Sequence, residues 1–232
     1  MAMISVLSYN VHFGKRLDKI IFWLLKKPSY DVICFQEFPK SEIVPFLKAF
    51  SWAGYEYRFA PFIKRRQIVF GELTLFRNDK LTLIKSSTVS LGINRGERVI
   101  LHSRIPRTSL LTVFQYKKQQ IVMVNIHLVN VAFNTLRYKQ ILKIINRLDH
   151  HTIPTVLLGD FNMPSVFGRK KLFALMEEYG FDMLKKRLST FHIVGVKYQM
   201  DYFFWRGCKV NNVSVERVKY SDHYPVKFTL SV

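Results

Sequence analysis

Two periods alternate along this chain. Segment 4–11, "ISVLSYNV", mixes polar and apolar positions as a half-buried strand does. Leu17, Ile20, Ile21, Leu24 and Leu25 then recur at helical spacing, and Pro28 closes that helix. "DVICFQ" predicts a second strand. Ser41 stands where it can cap a helix running to about Phe50, with Pro45 tolerated in the first turn. From Tyr55 to Leu128 the pattern is mostly that of strands: "YEYRFA", "IVFGELTLF", "LTLIKSSTVSL", "RVILHSRI", "LLTVFQY" and "QIVMVNIHL", the last two joined by a hairpin turn at "YKKQQ". Asn134 stands where it can cap a helix with Tyr138, Ile141, Leu142, Ile145 and Leu148 on one face. "TVLLGD" is a strand. A helix is expected from about Lys170 to Tyr179, with Gly180 as its stop. "YQMDYFFWR", "VNNVSVERV" and "PVKFTLSV" close the chain as strands. Strands outnumber helices, so two sheets packed face to face with helices outside are expected. No linker, repeat or low-complexity tract divides residues 1–232, which read as one domain.

The ends of these strands carry hydrogen-bonding and ionisable residues. The first ends at Asn10 and His12, and the second at Gln36-Glu37. "VMVNIHL" carries Asn125 and His127, with Asn130 just after. "LLGDFNMPS" ends its apolar run on Asp160 and Asn162, "QMDYFFW" opens near Asp201, and "SDHYP" places Asp222 and His223 before the last strand. Each has an ordinary reading as a turn, a cap or a core histidine. Together they form a coherent set, because ligands and catalytic groups gather at strand ends and the loops there. A hard divalent cation takes carboxylate oxygen, which Glu37 supplies with Asn10 beside it. Phosphate-ester hydrolysis needs a base to orient water, for which Asp160 is placed, and donors to phosphoryl oxygens, for which Asn162, Asn130 and His223 are placed. Asp201 is placed to orient His223, and His127 to protonate a leaving oxygen.

Charge adds a partner class. Lys and Arg number 36 against 16 Asp and Glu, a net charge of +20, so the surface attracts polyanions: nucleic acid, anionic lipid headgroups or other phosphorylated molecules. The basic residues fall in short runs, among them Lys64-Arg65-Arg66, Arg169-Lys170-Lys171 and Lys185-Lys186-Arg187. The two cysteines, Cys34 and Cys208, lie in no Cys-x-x-Cys, which argues against a disulfide scaffold or a cysteine zinc site; Cys34, inside "DVICF", is expected to be a buried thiol. No apolar run reaches the ~18 residues that span a bilayer. The first strand starts near Ile4 and leaves no room for a signal peptide, so a cytoplasmic monomer is expected.

Taken together, "LSYNVHF", "VICFQE", "GELTLFR", "VNIHL", "RYKQIL", "VLLGDFN", "QMDYFFW" and "SDHYPV" resemble the endonuclease/exonuclease/phosphatase superfamily, the deoxyribonuclease-I-like fold, and they occur in its order from near residue 5 to near residue 228. The resemblance implies an α/β protein, a four-layer α/β/β/α sandwich of two mixed sheets, and Mg²⁺- or Mn²⁺-dependent cleavage of phosphate esters. It implies metal binding by Glu37 supported by Asn10, with Asp222 as a further metal or water-shell ligand, and catalysis by His127, Asp160, Asn162, Asp201 and His223. It also implies a phosphate contact from Asn130, either a substrate contact or a structural role for Arg137 in the "R-x-x-Q" helix, and a substrate contact from Arg77 that a departure just before it leaves open. One departure is that Glu72 and Phe76 in "GELTLFR" stand where many relatives have small or hydroxyl residues. The superfamily cleaves DNA, RNA, inositol phosphates and sphingomyelin on one core, so the fold does not select the substrate. The charge favours a nuclease, with Arg16, Lys64, Arg65, Arg66 and Arg169 flanking the cleft; a phospholipid or phosphoinositide esterase docked on an anionic membrane is the alternative, and a non-catalytic binding relative the third.

Overall fold

The computed structural model describes residues 3–93, 105–130, 132–148, 152–193 and 195–232. In chain order its elements are β1 (Met3–Asn10), α1 (Leu17–Leu25), β2 (Val32–Pro39), α2 (Ile43–Ala49), β3 (Tyr55–Arg65), β4 (Ile68–Arg77), β5 (Thr82–Gly92), β6 (Arg107–Tyr116), β7 (Gln119–His127), α3 (Asn134–Ile145), β8 (Thr155–Asp160), α4 (Val166–Glu178), β9 (Asp182–Met183), β10 (Phe191–Ile193), β11 (Val196–Tyr198), β12 (Asp201–Arg206), β13 (Lys209–Val215) and β14 (Val226–Ser231). The expected strand "RVILHSRI" lies almost wholly outside the described residues.

Two mixed six-stranded sheets form, one in the order β13-β14-β1-β2-β4-β3 and the other β5-β6-β7-β8-β12-β9. Each has one parallel pair, β1 with β2 and β7 with β8. Period-two alternation sorts the side chains into layers. Ile4, Val6, Val32, Cys34, Ile121, Met123, Val156, Leu158 and Phe203 fill the space between the sheets. The alternate residues Leu7, Tyr9, Ile33 and Phe35 face α1 and α2 on one outer side. Val122, Val124, Ile126 and Leu157 face α3 and α4 on the other. The result is the four-layer α/β/β/α sandwich, and Cys34 is a buried thiol within its middle layer. Among the described residues no helix is long and apolar enough to cross a membrane.

Helix boundaries depart from expectation where capping chemistry decides. The helix expected from Lys170 starts four residues earlier, because Ser165 Oγ accepts from Gly168 N at 3.0 Å and caps it. Gly168 is needed there: a Cβ at that position would come within 2.7 Å of the Asn134 side chain, so the starts of α3 and α4 pack against each other. Asn134 itself does not cap α3; its Oδ1 accepts from Arg137 instead. Ser41 likewise does not cap α2, which a short 3₁₀ turn precedes.

Candidate active site

The polar strand ends converge because the parallel pairs point the same way. β1 and β2 end at one edge of their sheet and β7 and β8 at the matching edge of the other, while β12 and β14, running antiparallel, begin there. Register does the rest. His127 stands opposite Asp160, and Asp160 opposite Asp201, so three ionisable side chains form one row across β7, β8 and β12. By alternation this row shares the face of Met123, Leu158 and Phe203, the one turned to the other sheet. Asn10 shares the corresponding face with Val6. The site is therefore the open end of the inter-sheet core.

Alternation alone would send Glu37 the wrong way, onto the outer face with Ile33 and Phe35. The chain corrects this with a bulge. The register of β2 on β4 shifts between Phe35 and Phe38, and Glu37 takes φ +58°, a conformation that ordinarily costs a non-glycine residue about 1–3 kcal/mol. Its Oε1 then lies 3.4 Å from Asn10 Nδ2 and 3.6 Å from His127 Nε2. His12, Phe13 and Asn162 also have positive φ, so backbone strain gathers around this edge.

Asp160 is the hub. Its Oδ2 accepts from Asn10 Nδ2 at 3.0 Å and lies 3.5 Å from His127 Nε2 and 3.7 Å from His223 Nε2; its Oδ1 accepts from the Asn162 backbone N–H at 2.9 Å. Burial raises its pKa to about 7, against the pull of His223. The other nitrogen of His223, Nδ1, is 2.8 Å from Asp201 Oδ2. Burial pushes that imidazole down, but Asp201 and Asp160 outweigh it and hold the pKa up to about 10. His127 is the opposite case: burial, then the charges of Arg107 and His223, hold it well below the usual imidazole range. That direction works against the protonated leaving-group acid expected of it.

Placement shows what Arg77, Arg137 and Asp222 touch. Arg77 sits at the opposite end of the sheet, where its backbone N–H donates to Asp31 near the start of β2 and its guanidinium binds Asp79 and Ser29; it cannot reach a phosphate in the cleft. Arg137 is buried and donates to the carbonyls of Val129 and Asn130 and to Asn134 Oδ1, so it fixes the loop between β7 and α3. Asp222 turns toward His12, with its Oδ1 3.2 Å from His12 Nδ1, and its pKa falls to about 2: burial opposes the change, and the hydrogen bond from His12 and the charge of His223 drive it. Asn162 is in the cluster, though its Nδ2 donates to the Leu128 carbonyl and its backbone N–H holds Asp160. Asn130 is exposed on the loop beside the cleft.

Several positioning residues were not singled out from the sequence. Ser221 Oγ donates to the Asn10 carbonyl at 2.7 Å and accepts from His223 N–H, which staples the loop before β14 to the end of β1. Thr190 Oγ1 accepts from the backbone N–H groups of Met200 and Asp201. The Phe62 ring packs edge-on against His127 with centroids 4.8 Å apart, and Arg107 lies over Phe62 and donates to the His127 carbonyl. Beneath the site Gln36 Nε2 donates to Asn125 Oδ1 at 2.7 Å, and Asn125 Nδ2 donates to the Phe35 carbonyl, joining the two sheets. Ser221 had a signal in its place in "SDHYP", and Gln36 and Asn125 in theirs at strand ends. Glu72 is wholly buried, and burial raises its pKa well above the carboxylate range against the pull of Arg107.

The donor set fits a hard divalent ion. Glu37 Oε2 is buried with no hydrogen-bond partner, and an orphaned carboxylate oxygen beside an amide is what Mg²⁺ or Mn²⁺ takes while keeping several waters. Among the described residues no three His, Cys, Asp or Glu side chains form a ready metal cage; such an ion would rest on Glu37, whose carboxylate Asn10 positions through Nδ2 while the Asn10 Oδ1 accepts from the His12 N–H at 3.0 Å.

A two-sheet sandwich with an acidic, amide and imidazole cluster at one end defines a recognisable class. The model of the Endonuclease/Exonuclease/phosphatase family matches residues 7–223, and the chain belongs to that family. A curated relative, a UPF0294 protein of Klebsiella pneumoniae (strain 342), is 31% identical over 129 residues, covering 53% of this chain; the match spans 47% of that protein, about half its length. Among solved structures, the endonuclease/exonuclease/phosphatase from Bacteroides vulgatus superposes with a TM-score of 0.81 at 16% identity, covering 100% of both chains. The Bacteroides thetaiotaomicron mannosyl-6-phosphatase does so at 0.70 and 16% identity, covering 99% of this chain and 100% of its own. At these identities the structures speak to fold.

Proposed function

We propose that this chain is a divalent-metal-dependent phosphodiesterase, a nuclease that hydrolyses phosphodiester bonds of nucleic acid by attack of an activated water. The observation that carries the reading is the meeting of Asn10, Glu37, His127, Asp160 and His223 at contacts of 3.0 to 3.7 Å.

Glu37, positioned by Asn10, would hold Mg²⁺ or Mn²⁺, which when bound supplies positive charge to the phosphate oxygens. Asp160, fixed by Asn10 and the Asn162 N–H, orients the water and takes its proton; a carboxylate lifted toward neutrality by burial is suited to that task. His223, aimed by Asp201 and held toward its protonated form, donates to a phosphoryl oxygen, and His127 donates a second hydrogen bond. The net charge of +20 favours a polyanionic substrate, since Lys and Arg contacts to backbone phosphates dominate nucleic-acid affinity.

The test is a substrate panel of plasmid DNA, RNA, a small chromogenic phosphodiester, a sugar phosphate and a phospholipid, each with Mg²⁺ and with chelator. The reading expects Mg²⁺-dependent cleavage of DNA or RNA that falls steeply with added salt. Turnover confined to the sugar phosphate or the phospholipid would replace it.

A further inference from the structure

At the edge of the sandwich where the cleft opens, three large apolar side chains stand in water. Phe133 is 88% exposed, Val166 76% and Phe167 67%. They belong to the starts of α3 and α4, the two helices that follow β7 and β8 and meet where Gly168 packs on Asn134. The loops beneath are held rigidly: Arg137 binds the carbonyls of Val129 and Asn130, Asn162 Nδ2 binds the Leu128 carbonyl, and the Tyr138 hydroxyl donates to the Gly168 carbonyl at 3.0 Å. A fixed protrusion of exposed apolar groups marks an interaction surface.

The charge around it names the partner. Segments 128–148, 161–176 and 184–200, which build this corner, contain no Asp or Glu. The fold brings two basic runs together beside the tip: an Arg169 guanidinium nitrogen donates to the Lys185 carbonyl at 3.2 Å, which puts Lys185-Lys186-Arg187 against Arg169-Lys170-Lys171. Apolar side chains at the centre and cations at the rim match a bilayer whose headgroups are anionic. A nucleobase is a poorer match. Val166 has no ring face to stack on, and Lys171 Nζ already lies over the Phe167 ring, 4.8 Å from its centroid.

We propose that Phe133, Val166 and Phe167, ringed by the two basic runs, dock this chain on an anionic lipid bilayer with the cleft edge turned to the membrane. The inference stands on the surface alone, whichever ester the cleft takes. The experiment is co-sedimentation of the full chain with vesicles of phosphatidylserine and phosphatidylcholine and with vesicles of phosphatidylcholine alone. The variants are Phe133→Ser/Val166→Ser/Phe167→Ser and Lys170→Glu/Lys186→Glu. Because all three apolar positions are exposed and a serine at 133 can cap α3, the first variant should keep the fold, which its melting curve verifies. Wild type should bind the serine-headgroup vesicles, and each variant should lose at least about tenfold in partition coefficient. The proposal is overturned if wild type stays in the supernatant or if the triple serine variant sediments like wild type. It is equally overturned if that variant keeps vesicle binding but loses affinity for single-stranded DNA.

Discussion

His223 Nδ1 and Asp201 Oδ2 lie 2.8 Å apart, both side chains buried, with the other imidazole nitrogen facing Asp160. A charge-assisted bond in that setting fixes both the orientation and the protonation of the ring. Asp201→Asn keeps the shape and removes the charge. The expected result is a loss of about 10²- to 10⁴-fold in kcat/KM on whichever phosphoester is turned over, measured on protein shown to be folded. Full activity in a folded Asp201→Asn protein would assign the pair to stability alone.

Glu37 has the opposite character. Its carboxylate is buried, one oxygen has no partner, and its backbone is strained at φ +58°. Such a group opposes folding when no cation is bound. Glu37→Gln is therefore expected to raise stability in chelator by about 1 kcal/mol in urea unfolding while cutting activity. The rise in melting temperature that Mg²⁺ gives the wild type should disappear, because that rise is the linkage of ion binding to the folded state. A variant less stable than wild type in chelator would contradict this.

The two arginines should separate cleanly. Arg137 is buried and holds two backbone carbonyls and Asn134, so Arg137→Ala is expected to cost about 2–4 kcal/mol in stability. Arg77 pairs with the half-exposed Asp79 at the end of the molecule away from the cleft. Arg77→Ala should cost no more than about 1 kcal/mol and leave kcat/KM within about twofold. Urea titration and initial rates on both variants check the pair.

Cys34 gives a prediction in pH. Burial lifts its thiol from an ordinary 9.0 to about 12, with the Thr74 hydroxyl contact opposing. The folded state keeps the proton longer than the unfolded chain does. Below pH 9.0 both states are protonated and stability is unaffected; between 9.0 and about 12 the unfolded chain ionises first and stability falls as pH rises. The urea midpoint of wild type should drop more steeply across that window than that of Cys34→Ala. The native thiol should also resist a disulfide reagent at neutral pH.

Much of this was legible in the pattern of the chain. Alternation and strand ends marked Asn10, His127, Asp160, Asp201 and His223 as one set, since strand ends follow from local periodicity. What stayed hidden was decided by geometry off the strands. The turn of Glu37 into the cleft depends on a bulge that no residue pattern marks. Arg77 lies at the far end of its strand because β4 runs antiparallel to β2, which direction-blind periodicity does not reveal. The staple by Ser221 and the packing of Phe62 and Arg107 on His127 join segments distant in sequence. The start of α4 was missed because its cap at Ser165 precedes Gly168, the contact point with α3.

The central claim is that Glu37, Asp160 and His223 act on one phosphodiester as a unit. The measurement that bears on it most directly is kcat/KM for Mg²⁺-dependent cleavage of plasmid DNA or RNA by Asp160→Ala, His223→Ala and the double variant. Residues that act together are non-additive. Each single change is predicted to lower the rate by about 10²-fold or more, with the double no slower than the worse single within about tenfold. Nucleolytic activity that survives Asp160→Ala and chelator, or losses that multiply in the double variant as for independent sites, would contradict the account.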